Sequence, residues 1–195
     1  MNSAEVLKEF EEAGALLKGH FILSSGLHSD TYLNKSIVSK YPERAERLCR
    51  ALARKAREVF GDSFDYVVSP AMGAIIYGYE TARHLGVPFM FVERVDGEFQ
   101  LRRGFSLEKG ARVLVVEDII STGLSAREAI EAVRKAGANV VGLACLIDRS
   151  GGEIEVGAPM VSLAALRVEA WPSDKLPAHL QSIPAVKPGS RGVSQ

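Results

Sequence analysis

Two adjacent carboxylates, Glu117 and Asp118, follow the apolar run VLVV, and after Ile119 and Ile120 come the small polar residues Ser121, Thr122, Gly123 and Ser125, with a helical pattern beyond. This order suits a ligand with two chemically different parts. A helix start offers unpaired backbone N–H groups and a positive dipole end, so small residues there let the backbone close around a phosphate. Gly123 permits tight curvature, and the hydroxyls add donors. Two acids would repel a phosphate that touched them, but they suit a sugar diol or a hydrated Mg2+. Together these features fit a ribose phosphate. A helix cap beside a surface charge pair has the same appearance, and the spacing alone leaves both readings open. Neither GxGxxG nor a P-loop pattern occurs in the chain, so the usual dinucleotide and nucleotide fingerprints are absent.

Such a loop works only where a sheet presents it. Apolar runs alternate with amphipathic stretches along the chain: PERAERLCRALARKAREVF reads as a helix with Pro42 in its first turn and Ala45, Leu48, Leu52, Ala56 and Val59 on one face. FDYVVSP, VPFMFVE, RVLVVE, NVVGLACLID and MVSLAALRV read as strands. AIIYGYETARHLG and SAREAIEAVRKAG read as helices closed by Gly86 and Gly137. Continuously apolar strands separated by helices predict an α/β fold with a mostly parallel central sheet flanked by helices. In such sheets ligands bind beyond the carboxyl ends of the strands, where the loop after Asp118 would lie. Asp96 and Gly97 form a hairpin-turn signal, and Arg94, Arg102 and Arg103 around it make a basic arm.

The organisation expected is one domain over 1–195: a small N-terminal hood at 1–40 made of a helix and an irregular β-like segment, an α/β core at 41–170, and a turn-rich tail at 171–195, poorly ordered near its end. With 47% hydrophobic and 25% charged residues, the chain has the composition of a globular protein. Lys plus Arg equals Asp plus Glu at 24 each, which removes any global electrostatic case for nucleic acid or an anionic membrane. MNSAEVLKEFEEAGALL carries acids throughout and does not read as a signal peptide, and no stretch approaches the roughly 20 apolar residues of a membrane helix. Cys49 and Cys145 are too few for a disulfide framework or a zinc site, so a reducing, cytoplasmic setting is expected.

VLVVEDIISTGLSA resembles the phosphoribosyl-pyrophosphate-binding motif of the type I phosphoribosyltransferases. GALLKGHFILSSGLHSDTYLNKS, SPAMGAIIYG, VERVDGEFQLRRGF, LIDRSGG and IPAVKPGSRG extend the likeness over nearly the whole chain, and FILSSGLHSDTY with DRSGG is similar to the orotate branch of that family. The resemblance implies the type I phosphoribosyltransferase fold and a glycosyl transfer. Ribose 5-phosphate would pass from phosphoribosyl pyrophosphate to N1 of orotate, giving orotidine 5′-monophosphate and pyrophosphate in de novo pyrimidine biosynthesis. It implies Mg2+ as cofactor, held mainly by the donor substrate, and a homodimer whose mobile loop, here 93–110, closes over the neighbouring active site.

Residue by residue, the resemblance places the donor along Glu117, Asp118, Ile119, Ile120, Ser121, Thr122, Gly123, Leu124 and Ser125, with the acids on the ribose hydroxyls and 121–125 around the 5-phosphate. Ala71, Met72 and Gly73 would offer backbone N–H groups to the pyrophosphate, together with Arg94, Arg102 and Arg103. Orotate would meet Ser121, Ser24, Tyr32 and Arg149, whose planar fork matches a carboxylate. Glu117, Asp118 and Arg94 would be catalytic, and His28 is assigned no chemistry. Some family members carry lysines and a histidine where this chain has Val95, Glu98 and Gln100, and lysines where it has Ser24 and Gly73. Anion binding here is therefore expected to lean on backbone and arginine.

Overall fold

The structure, a computed structural model, describes residues 1–23 and 25–188, with the backbone alone at Lys35. Helix α1 (Ser3–Glu12) starts at a capping box: Asn2 Oδ1 accepts the Glu5 N–H at 3.0 Å and the Glu5 carboxylate accepts the Asn2 N–H at 2.7 Å. Strands β1 (Leu16–Ile22) and β2 (His28–Leu33) pair antiparallel as a separate two-stranded hood. A short helix α2 (Lys35–Ser39), absent from the sequence expectation, leads into α3 (Pro42–Phe60). Of the predicted α3 face, Ala45, Leu48, Leu52 and Ala56 are buried, but Val59 is 56% exposed. The next residue, Phe60, packs against the core in its place.

The core continues with β3 (Tyr66–Pro70), α4 (Ile75–Leu85), β4 (Phe89–Val95), β5 (Glu98–Leu101), β6 (Arg112–Ile120), α5 (Leu124–Lys135), β7 (Asn139–Asp148) and β8 (Met160–Ala165), and the tail carries α6 (Ala178–Gln181). The six-stranded sheet has the order β5-β4-β3-β6-β7-β8, parallel except for the β4–β5 hairpin. That hairpin turns at Asp96 and Gly97, whose φ values of 50° and 90° are those of a tight two-residue turn. Alternation along β6 builds two cores: Leu114 and Val116 join α1, α3 and α4 on one face, while Val113 and Val115 join α5 on the other. From β3 the chain first winds outward to β4 and β5, then returns to β6 on β3's other side, so the strand order reverses between β3 and β6. An open α/β sheet has its ligand crevice at such a reversal.

The turn-rich tail has a place in the fold: residues 171–188 lie across the hood, where Trp171 pairs with His28 and Val186 pairs with Phe21. His20, only 5% exposed, contacts the Ile183 carbonyl through Nδ1 at 2.7 Å and His28 Nδ1 through Nε2 at 2.6 Å. Ser29 Oγ donates to the Glu169 carbonyl at 2.7 Å. Backbone pairing and buried side-chain bonds give this turn-rich segment the partners its own sequence cannot supply. The expectation for its last residues falls on 189–195, outside the described residues.

Candidate active site

Glu117 and Asp118 sit inside β6 rather than at its end, 5% and 0% exposed, and the strand continues through Ile119 and Ile120. Glu117 Oε1 accepts the Asp118 N–H at 3.1 Å and Asp118 Oδ1 accepts the Ile119 N–H at 2.6 Å, which fixes both carboxylates close to the backbone. Ser121, Thr122 and Leu124 are exposed, whereas Gly123 is buried and takes φ 71° at the N-cap of α5. No larger residue fits there: a Cβ would lie 2.8 Å from Ile154 Cγ2 and 3.0 Å from Arg127 Nη1. The loop thus turns through a left-handed glycine straight into a helix N-terminus.

Arg149 emerges beside it. Ile120 and Asp148 are register partners, and the Arg149 N–H donates to the Ile120 carbonyl at 2.8 Å, so Ser121 and Arg149 leave adjacent strands side by side. Asp148 does not neutralise Arg149. Its Oδ1 accepts the Ser150 N–H and hydroxyl at 2.8 and 2.6 Å, and its Oδ2 accepts the Gly152 N–H at 3.0 Å, folding DRSGG into a tight turn. Arg149 Nε is buried without a hydrogen-bond partner among the described residues. Burial holds its pKa below the ordinary arginine value, with Tyr32 the group that acts in the opposite sense. Tyr32, half-buried on β2, also packs its ring 5.6 Å from that of Phe21. The hood, Arg149 and the loop 121–125 therefore converge. Ser24 lies outside the described residues.

On the other side of β6, β3 ends at Pro70 and a turn leads into α4. Val68 is the register partner of Val115, so this turn opens level with the acid pair. Its peptide between Ala71 and Met72 is cis. The Ala71 N–H donates to the Val92 carbonyl at 2.8 Å. It is thereby spent on the sheet, a correction to the expectation that all three of Ala71, Met72 and Gly73 offer theirs; the donors of Met72 and Gly73 remain. The basic arm is also committed. Arg94 is held by Glu128 of α5 and donates to the Gly97 carbonyl at 2.6 Å. Arg103, in a left-handed conformation at φ 59°, pairs with Glu93 at 2.9 Å. Arg102 is exposed. In this arrangement the arm packs on its own hairpin and α5, and Arg94 and Arg103 are not brought onto the loop 121–125.

The family model for the Phosphoribosyl transferase domain matches residues 40–174. Proteins named orotate phosphoribosyltransferase from Phenylobacterium zucineum and Maricaulis maris are 60% and 58% identical, covering 98% and 100% of this chain and the same shares of their own. The chain belongs to the phosphoribosyltransferase family, in its orotate branch. The crystal structure of orotate phosphoribosyltransferase from Aeropyrum pernix matches with a TM-score of 0.72 at 27% identity, over 83% of this chain and 93% of that one. Adenine phosphoribosyltransferase from Saccharomyces cerevisiae shares the fold, with a TM-score of 0.65 at 23% identity over 82% of this chain and 99% of that one. The matched domain, 40–174, leaves out most of the hood and most of the tail, two segments that pair with one another at Phe21–Val186 and His28–Trp171. The 60% relative aligns across both.

Several residues of this region were not singled out from sequence. Asp148 shapes the base-side turn, and its only signal is its place in DRSGG. Tyr77, 1% exposed on α4, bonds to Ser39 of α2 and lies within electrostatic reach of Asp118. Arg127 grips the loop 121–125 at the Thr122 carbonyl. The partners of Tyr77 are remote in sequence and those of Arg127 are backbone carbonyls, which leave no pattern to read.

Proposed function

We infer that this chain is an orotate phosphoribosyltransferase, a pentosyltransferase that moves ribose 5-phosphate from phosphoribosyl pyrophosphate to orotate in pyrimidine biosynthesis. One observation carries the choice of acceptor: Arg149, half-buried, keeps a buried Nε without a hydrogen-bond partner among the described residues beside the loop 121–125 while its neighbouring acid is turned into the backbone. A buried N–H without an acceptor is costly, and a planar carboxylate can satisfy it together with the rest of the fork. Orotate supplies that group.

The residues divide the work by charge. The loop 121–125 takes the 5-phosphate on backbone N–H groups and hydroxyls. Glu117 and Asp118, fixed in β6, hold the ribose hydroxyls and favour the positive charge that grows on the ring as the leaving group departs. Met72 and Gly73 offer N–H groups to the pyrophosphate, and Arg94 adds charge once released from Glu128. Among the described residues no group of three or more His, Cys, Asp or Glu is placed to hold a metal ion. Mg2+ fits as a companion of the donor, since a small hard cation is satisfied by phosphate oxygens, water and at most one or two carboxylates. When bound it supplies charge neutralisation on the departing oxygens.

A homodimer is part of this reading. Met72, Ile76 and Tyr79 are 83%, 49% and 59% exposed and follow one another at helical spacing along the pyrophosphate turn and α4. An apolar stripe of this kind suits a subunit contact beside the site, from which the basic arm could serve the neighbour. A cytoplasmic setting agrees with the thiols: burial pushes Cys49 up to about 12, and Cys145 upward as well, so neither is reactive. No helix among the described residues is long and apolar enough to cross a membrane. The test follows orotate absorbance with purified protein, donor and Mg2+, beside Asp118→Asn and parallel incubations with adenine, hypoxanthine and xanthine. Orotate loss that needs every component and collapses in the variant is expected; product from another base instead would refute the acceptor.

A further inference from the structure

Arg127 stands in the first turn of α5, exposed, and nothing in the transfer chemistry uses it. Its guanidinium is nonetheless fully directed. Nη2 donates to the Thr122 carbonyl at 2.9 Å and Nη1 to the Glu155 carbonyl at 3.1 Å. The same Nη1 lies 3.0 Å from where a Gly123 Cβ would stand, with Ile154 and Val156 closing the rest of that side. One face of the loop is therefore filled by Arg127 and the 154–156 segment, and the other carries the exposed Ser121 and Thr122.

In a trans peptide the carbonyl and the N–H point in opposite directions. The Thr122–Gly123 bond is trans, since Ala71–Met72 is the cis bond among the described residues. Holding the Thr122 carbonyl from behind thus turns the Gly123 N–H toward the open face. We propose that Arg127 is a positioning residue for the 5-phosphate loop: it aims the Gly123 N–H at the phosphate and ties the loop to the segment that follows the base-side turn. Arginine rather than lysine suits the task because two carbonyls in different segments need a rigid fork. The inference rests on the phosphoribosyl-transfer reading, and it assigns Arg127 no contact with the donor.

The test compares Arg127→Met and Arg127→Lys with the wild type by calorimetric titration of phosphoribosyl pyrophosphate, ribose 5-phosphate and pyrophosphate, each with Mg2+, and by KM for orotate. Arg127→Met should weaken the two ligands that carry the 5-phosphate roughly ten-fold or more, the size of a lost charge-assisted hydrogen bond. Pyrophosphate affinity and the orotate KM should stay within about two-fold, and Arg127→Lys should recover part of the loss. Ribose 5-phosphate affinity unchanged in Arg127→Met, or an equal loss for pyrophosphate, would overturn the proposal. A wild-type protein that binds neither phosphoribosyl pyrophosphate nor ribose 5-phosphate would instead overturn the transfer reading, and the inference with it.

Discussion

Arg94 and Glu128 are bound to one another across the gap between the basic hairpin and α5. The Arg94 guanidinium also lies 4.3 Å over the Phe99 ring. An arginine proposed to meet the leaving pyrophosphate is thus parked on a carboxylate of the helix that follows the 121–125 loop. Both partners are partly exposed, at 44% and 34%, and pairs of this kind contribute about 0–1 kcal/mol, so the latch is cheap to open. Arg94→Ala should lower kcat by roughly 100-fold if it stabilises the leaving group, with little change in melting temperature. Glu128→Gln should change kcat by less than about five-fold. Steady-state kinetics on both variants checks the pair; equal effects would contradict a role for Arg94 beyond the latch.

Gly123→Ala should impair donor binding more than any other conservative change in the loop. The substitution combines a left-handed φ of 71° with a Cβ 2.8 Å from Ile154 Cγ2. Strain of this kind costs about 1–3 kcal/mol, so KM for phosphoribosyl pyrophosphate should rise roughly ten-fold or more while the orotate KM moves little.

His20 joins the hood to the tail through its short contact with the Ile183 carbonyl and links the two hood strands through His28. Replacing it with Phe leaves a partly buried carbonyl and a histidine without their partner, at a cost of about 1 kcal/mol in denaturant unfolding. Removal of residues 171–195 should go further, loosening the strand pairing of Phe21 and His28 and raising the orotate KM, because Tyr32 stands on the same hairpin. An unchanged orotate KM in the truncated chain would show that the hood holds its shape alone.

Glu9 anchors α1 to α3 through Arg47 at 2.8 Å and Arg44 at 2.6 Å. The hydrogen bond from Arg47, with help from Arg44 against the opposing effect of burial, holds its carboxyl below the usual glutamate value. A group whose folded pKa is depressed contributes stability that is present above its unfolded pKa, about 4.3, and is lost as pH falls through the folded value. Glu9→Gln should therefore be less stable than the wild type near neutral pH and lose less stability on acidification below about 4, as read from urea midpoints across pH.

The parts legible in sequence are those with local causes. The apolar strands, the helix closed by Gly86 and the turn at Asp96 and Gly97 follow from period and turn chemistry within a few residues. The proposed phosphate loop stood out in sequence because its acids, hydroxyls and glycine are contiguous, and the structure turns it at Gly123 into the start of α5. What escaped depends on distant partners. His20 meets Ile183 across 163 residues, Arg94 meets Glu128 across 34, and the Ala71 N–H is taken by Val92 of the adjacent strand. Val59 is outside the core because the helix rotates Phe60 onto it instead, a choice between neighbours that periodicity alone does not make.

The central claim is that Arg149 awaits a carboxylate, and the ratio of kcat/KM for orotate to that for uracil, which lacks that group, tests it most directly. The account predicts strong preference for orotate in the wild type, and in Arg149→Gln a fall in that ratio of roughly 100-fold, through orotate rather than through uracil or the donor. A wild type that uses uracil equally well, or a variant whose ratio is unchanged, would contradict it.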